Sequence, residues 1–219
     1  MATNPVKING LTLAVALGVV VAAEVVVGGL LQWSGLPHFG RIIIIRLVQI
    51  GCMFYTLVRM AGDLTAIGAA PATWFSGLKK GALWSMAFAA VAAAGMAMLH
   101  LSGQNPFKLI YIRLPSQPTD LIFLFLAGGL VAPIAEELLF RGILYTYFRR
   151  WGIVTALIAS TAIFVVLHFN ALPIPATQLV GGLVFAIAYE TSHNLITPIT
   201  IHVLGNTALF ALSLPVFHA

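Results

Sequence analysis

Apolar residues run along this chain in long unbroken blocks instead of alternating with polar ones. Seven blocks stand out: Leu11 to Leu31, Ile42 to Met60, Ala82 to Leu101, Leu121 to Phe148, Gly152 to Phe169, Ala176 to Tyr189, and Leu195 to Phe217. A helix rising about 1.5 Å per residue needs roughly 20 apolar residues to cross a bilayer, and all but the sixth block approach or exceed that. The pattern predicts an all-α polytopic integral membrane protein of about seven transmembrane helices, forming a single domain over residues 1–219. The fourth block is long enough to break into two helices at Gly128, Gly129 and Pro133. Asp63 to Lys80, and Ser102 to Asp120 with Pro106, Pro115 and Pro118, read as interhelical loops.

Composition sharpens this picture. Hydrophobic residues make up 60% of the chain and charged ones 8%, so its apolar surface faces lipid as well as its own core. The first block lacks a small-residue cleavage site with a polar domain behind it, and is expected to stay as a span. The single Cys52 allows neither an internal disulfide nor a cysteine zinc site. The net charge of +5 does not imply nucleic acid, because the basic residues are scattered between the blocks. In a seven-span arrangement Lys7, Arg59, Lys79, Lys80, Arg149 and Arg150 fall on one side, and Arg41, Arg46, Lys108 and Arg113 on the other. That imbalance predicts a cytoplasmic amino terminus, and the expected location is the cell membrane.

A charge within the hydrocarbon layer costs about 2.5 to 3.5 kcal/mol on insertion scales, so ionisable residues inside the blocks are functional candidates. They are Glu24, Arg46, the Glu136/Glu137/Arg141 cluster, His168, and His202 with Asn206. Glu137 and Arg141 are four apart on one helix face and can neutralise each other. Glu136 points about 100° away and needs a partner from another helix. His202 and Asn206 share a face in ITIHVLGNTALF, as do Phe164 and His168 in FVVLH. Counted from the cytoplasmic ends, Glu136 lies roughly 20 Å deep, His168 roughly 25 Å, His202 roughly 12 Å and Asn206 roughly 18 Å, which lets the four meet near mid-membrane.

A carboxylate, two imidazoles and a carboxamide in a dry pocket suit amide hydrolysis. Glu136 would take a proton from water, one histidine would orient that water or carry the proton to the leaving amine, and the other would stabilise the oxyanion with Asn206. Alternatively Glu136, His168 and His202 would hold a zinc ion with one position open for water. Residue types alone leave both routes standing. Other membrane hydrolases lack their signatures: there is no HExxH, no Gly-x-Ser-x-Gly turn, and Asp63 and Asp120 lie at or outside block ends.

These residues resemble the CPBP family, the CAAX proteases and bacteriocin-processing (Abi) enzymes, which are glutamate-type intramembrane proteases. EExxxR stands as Glu136, Glu137 and Arg141, FxxxH as Phe164 and His168, and HxxxN as His202 and Asn206, in the family's order. The likeness runs over residues 121–210, including GGLVFAIAYE, and leaves residues 1–120 as less distinctive helices and loops. It implies that Glu136 is the general base with His168 beside it, that His202 and Asn206 form the oxyanion site, and that Glu137, Arg141 and Phe164 support them. It implies an intramembrane endopeptidase acting on a membrane-associated protein or peptide, with membrane lipid around it and no required cofactor, zinc being the alternative.

The structural readings run beside these. Glu137 and Arg141 would form a buried ion pair, and His202 and Asn206 would tie neighbouring helices together. Glu24 would be a protonated acid or bond a neighbour, Arg46 would snorkel to the near interface, and His38, His100, His193 and His218 would sit at block ends. The competing function is a non-catalytic CPBP-like protein, an immunity factor or scaffold. A proton-relaying transporter using Glu24 and Glu136 ranks behind both.

Overall fold

The computed structural model describes residues 8–169 and 176–214; Lys7, His218 and the end of the seventh block at Phe217 lie outside these. Among the described residues the chain is helical and has no strand. Seven principal helices match the seven blocks: α1 Gly10–Leu31, α2 His38–Ala61, α3 Trp74–Leu101, α4 Pro118–Trp151, α5 Ile153–Leu167, α6 Ala176–Ser192 and α7 Ile196–Leu212. The spans containing α1 to α4 are long and apolar enough to cross a membrane, whereas α5 and α7 are apolar but shorter.

The loops are shorter than the sequence suggests. Two single-turn 3-10 helices occupy Thr65–Ile67 and Pro71–Thr73, and α3 then begins at Trp74, inside the stretch read as a loop. The helix boundaries have local causes. Asn9 caps α1 by accepting from Thr12 N–H at 2.8 Å. Gly62, at φ +90°, ends α2 with a backbone conformation that a side chain would resist. Pro118 starts α4 at a position where a missing N–H costs nothing.

The predicted break in the fourth block does not occur, because α4 changes register instead. Over Ala127–Val131 the helix widens to the π form, and Ala132 N–H bonds back five residues to the Ala127 carbonyl. The next donor in that register would be Pro133, which has no N–H, so the Gly128 carbonyl loses its helical partner. A second π stretch covers Leu138–Tyr145. The paired glutamates therefore sit on a short α-helical segment, Ala132–Glu137, between two widened turns.

The helices close around this segment. α2 and α7 pack on α4, α6 packs on α5 and α7, α1 on α2, and α7 on α3. Glycines bring α3 against α7: a Cβ at Gly81 would stand 2.5 Å from Thr200 Cβ. The apolar core runs through Met53 and Leu57 of α2, Leu138 and Ile143 of α4, Ala156 of α5, and Ala186 and Tyr189 of α6.

Arg46 joins a polar network between α1 and α2. Its Nη1 donates to Glu24 Oε2 at 3.2 Å and to Gln49 Oε1 at 2.6 Å, while Gln49 Nε2 bonds both Glu24 Oε2 and the Val20 carbonyl at 3.1 Å. Where Gln49 reaches that carbonyl, α1 widens into a π-turn over Ala23–Val27. A sequence signal for this pair existed. Glu24 and Arg46 lie equally far to either side of Gly35, between two antiparallel helices, and so share a depth.

Candidate active site

Neighbouring glutamates on one helix face different surroundings. Glu137 is fully buried, and its Oε1 accepts from Arg141 Nη1 at 2.7 Å and from His202 Nδ1 at 2.8 Å. Glu136 points to a part-exposed position, where its Oε2 stands 3.8 Å from Nε2 of His168 and 3.8 Å from Nε2 of His202. The rotation between successive helical residues thus separates one carboxylate locked in an ion pair from another that has a gap before it. The gap is too wide for a direct hydrogen bond on either side.

Partners on the far side of each ring set the tautomers. His168 Nδ1 lies 2.8 Å from the Phe164 carbonyl. A carbonyl only accepts, so Nδ1 carries the hydrogen and Nε2 turns its other valence toward Glu136. This explains the FxxxH spacing: His168 caps the end of α5 and bonds the carbonyl one turn back, while the two rings lie 4.4 Å apart. His202 Nδ1–H likewise donates, but to the Glu137 carboxylate. One imidazole is therefore backed by a neutral carbonyl and the other by a charged group.

Arg141 holds the second layer. It is fully buried, donates from Nη2 to the Gly182 carbonyl at 2.9 Å, and lies 5.1 Å from the ring centre of Phe164 and 5.3 Å from that of Phe185. Phe185 also stacks on His202, with centroids 4.5 Å apart at 23°. Gly182 is glycine for a steric reason, since a Cβ there would stand 3.0 Å from Thr161 Cγ2 and 3.3 Å from Phe164 Cδ1. Sequence reasoning missed Gly182 and Phe185. GGLVFAIAYE was noticed only as a likeness, and nothing in it showed which residue meets the arginine.

Asn206 is placed differently from its expected partners. Its Nδ2 donates to the Gly128 carbonyl at 2.8 Å, the group that Pro133 leaves without a donor, and it makes no hydrogen bond to Glu136, His168 or His202 among the described residues. Close packing permits the bond: a Cβ at Gly128 would stand 2.9 Å from Phe210 Cζ of α7. One amide hydrogen is used in this bond and the second stays available.

Residues 118–208 match the family described as type II CAAX prenyl endopeptidase Rce1-like. The region of similarity to this CPBP-family model spans α4 to most of α7 and contains every residue of the cluster, and the family is one of proteases acting on proteins or peptides in a membrane setting. Neither the curated proteins nor the solved structures that were compared contain a match to the chain.

Proposed function

We propose that this protein is an intramembrane endopeptidase in which Glu136 activates a water held between it and the two histidines. The observation that carries this reading is the pair of 3.8 Å separations from one carboxylate oxygen to two Nε2 atoms whose opposite nitrogens are already committed. Two imidazole nitrogens facing one carboxylate oxygen across such gaps call for a bridging hydrogen-bonding group, and water fits.

The asymmetry behind the rings assigns the roles. His168, backed only by a carbonyl, accepts one water hydrogen at Nε2 while Glu136 takes the other as a proton. The resulting hydroxide attacks the peptide carbonyl carbon. His202, whose ring the Glu137 carboxylate holds through Nδ1, turns Nε2 toward the same gap and, in its doubly protonated form, donates from it to the oxyanion. The second amide hydrogen of Asn206 is the other donor. As the C–N bond breaks, Glu136 returns its proton to the leaving nitrogen, giving a free amine and a carboxylic acid. Glu137 and Arg141 are positioning residues on this account, and Phe164 packs beneath His168.

Zinc fits the donor set less well. Tetrahedral ligands at about 2.0 to 2.1 Å stand about 3.4 Å from each other, closer than the two Glu136–histidine separations. Among the described residues no group of three His, Cys, Asp or Glu side chains is arranged to hold a metal ion. The substrate consistent with the family is a membrane-associated protein or peptide.

The test is Glu136→Gln, which keeps the size and removes the base. Cleavage should fall by about 100- to 10,000-fold with the fold intact, and the substrate should accumulate uncut in cells carrying the variant. Processing equal to wild type in those cells would overturn the role of Glu136, and equal processing in cells that lack the protein altogether would favour the immunity or scaffold reading.

A further inference from the structure

Away from the catalytic cluster, a cavity of about 370 Å³ opens at the end of the bundle where α4 stops. Its walls are the 65–68 turn, the last turns of α4 and α6, and His193 at the α6–α7 turn. Two arginines of α4, Arg149 and Arg150, line it with a single acid, Glu190. That acid is already engaged: Arg149 clamps it through Nε to Oε2 at 3.0 Å and Nη2 to Oε1 at 2.8 Å, and the Tyr145 hydroxyl donates to it at 2.7 Å. The charge of Arg150 is therefore in excess. Its guanidinium lies 3.9 Å from the Tyr147 ring centre and 5.2 Å from that of Trp151, and it donates to the carbonyls of Tyr147 and Ile8.

His193 adds an independent observation. It is the one non-glycine among the described residues with positive φ, at +50°. The neighbouring backbone fixes it there: Gly68, itself at φ +69°, packs against the His193 carbonyl, and Leu195 N–H donates to Gly68 O at 3.0 Å. A histidine held at positive φ beside two arginines thus places polar groups around a pocket of ligand size. Tyr147 and Trp151, next to the cavity on the same helix end, are the amphipathic rings that gather at headgroup depth.

We propose that this cavity binds the phosphate of an anionic phospholipid headgroup, with Arg149, Arg150 and His193 as its cationic or hydrogen-bonding donors. A phosphate presents several acceptor oxygens to such a set, and a phosphodiester on a lipid brings it to this depth, where a zwitterionic headgroup would place its own cation against Arg150. The inference is independent of the catalytic reading, since none of its residues takes part in that cluster.

Two substitutions isolate the site. Arg150→Gln removes the excess charge but keeps the Arg149–Glu190 clamp, and His193→Asn removes the imidazole with a residue that tolerates the same φ. Full-length protein in mixed micelles would be titrated with phosphatidylglycerol, phosphatidylcholine or inorganic phosphate and read by native mass spectrometry, with size-exclusion profiles confirming the fold. Wild type should retain phosphatidylglycerol over phosphatidylcholine, each variant should lose about tenfold of that retention, and Arg150→Lys should recover most of it. Equal retention of the two lipids, or variants that bind like wild type, would overturn the proposal. Inorganic phosphate that binds alone and displaces the lipid would make the ligand a free anion and refute the lipid assignment.

Discussion

Replacing Arg141 with Leu tests the buried electrostatics most directly. The substitution removes the 2.7 Å bond to Glu137 and the 2.9 Å bond to the Gly182 carbonyl, at a site where both partners of the ion pair have no exposed side-chain surface. Glu137 is then a buried carboxylate without its cation, a change that costs about 3 to 5 kcal/mol. His202 still donates to Oε1 and holds the loss toward the lower end. Thermal denaturation in detergent, followed by size-exclusion chromatography, should show a large fall in stability. The double variant Glu137→Gln/Arg141→Leu leaves neither charge, and should be more stable than Arg141→Leu alone despite carrying one more substitution. A double variant no more stable than the single one would refute the claim that an uncompensated charge, rather than lost packing, governs this site.

The other substitutions separate packing from chemistry. Asn206→Ala leaves the Gly128 carbonyl without a donor and removes one candidate oxyanion contact; stability should fall by about 1 to 3 kcal/mol, and kcat should drop by more than that loss of fold explains. Gly182→Ala pushes a methyl toward Thr161 and Phe164 and should cost about 1 to 3 kcal/mol of stability, with activity falling as Phe164 and the Arg141 bond are displaced. Glu24→Gln should destabilise less than Arg141→Leu in the same thermal assay and leave turnover unchanged, because the Glu24–Arg46 pair reaches the bundle surface and touches no catalytic group.

The elements and motifs that were legible in the sequence have local causes. Unbroken apolar blocks become helices because lipid leaves the backbone no other way to satisfy its polar groups, and the fourfold spacings in EExxxR, FxxxH and HxxxN follow the helical period. The periodicity also showed correctly that Glu136 and Glu137 point apart. It did not show that His202 stands between them, bonded to Glu137 through Nδ1 and facing Glu136 across a gap with Nε2, because that depends on how α7 sits against α4. The same limit hid Gly182 from Arg141 and Glu190 from Arg149, which are bonds between helices.

The register of α4 is the clearest case. Gly128, Gly129 and Pro133 read as a break, since a proline inside a helix removes a bond and crowds the preceding turn. The structure absorbs the defect in one widened turn, and Asn206 of α7 supplies the missing donor. Asn206, expected either at the oxyanion or as a tie between helices, therefore does tie α7 to α4, one helical turn before the glutamates' own segment. Widening at both ends of Ala132–Glu137 fixes the angle at which those glutamates leave the helix. Moving the proline would change that angle without touching an acid or a histidine, so Pro133→Ala should restore the α-helical ladder over Ala127–Val131 and release Asn206 from Gly128. If the catalytic geometry depends on that tie, the variant will keep its stability and lose turnover; retained turnover would show that the widened turn serves packing alone.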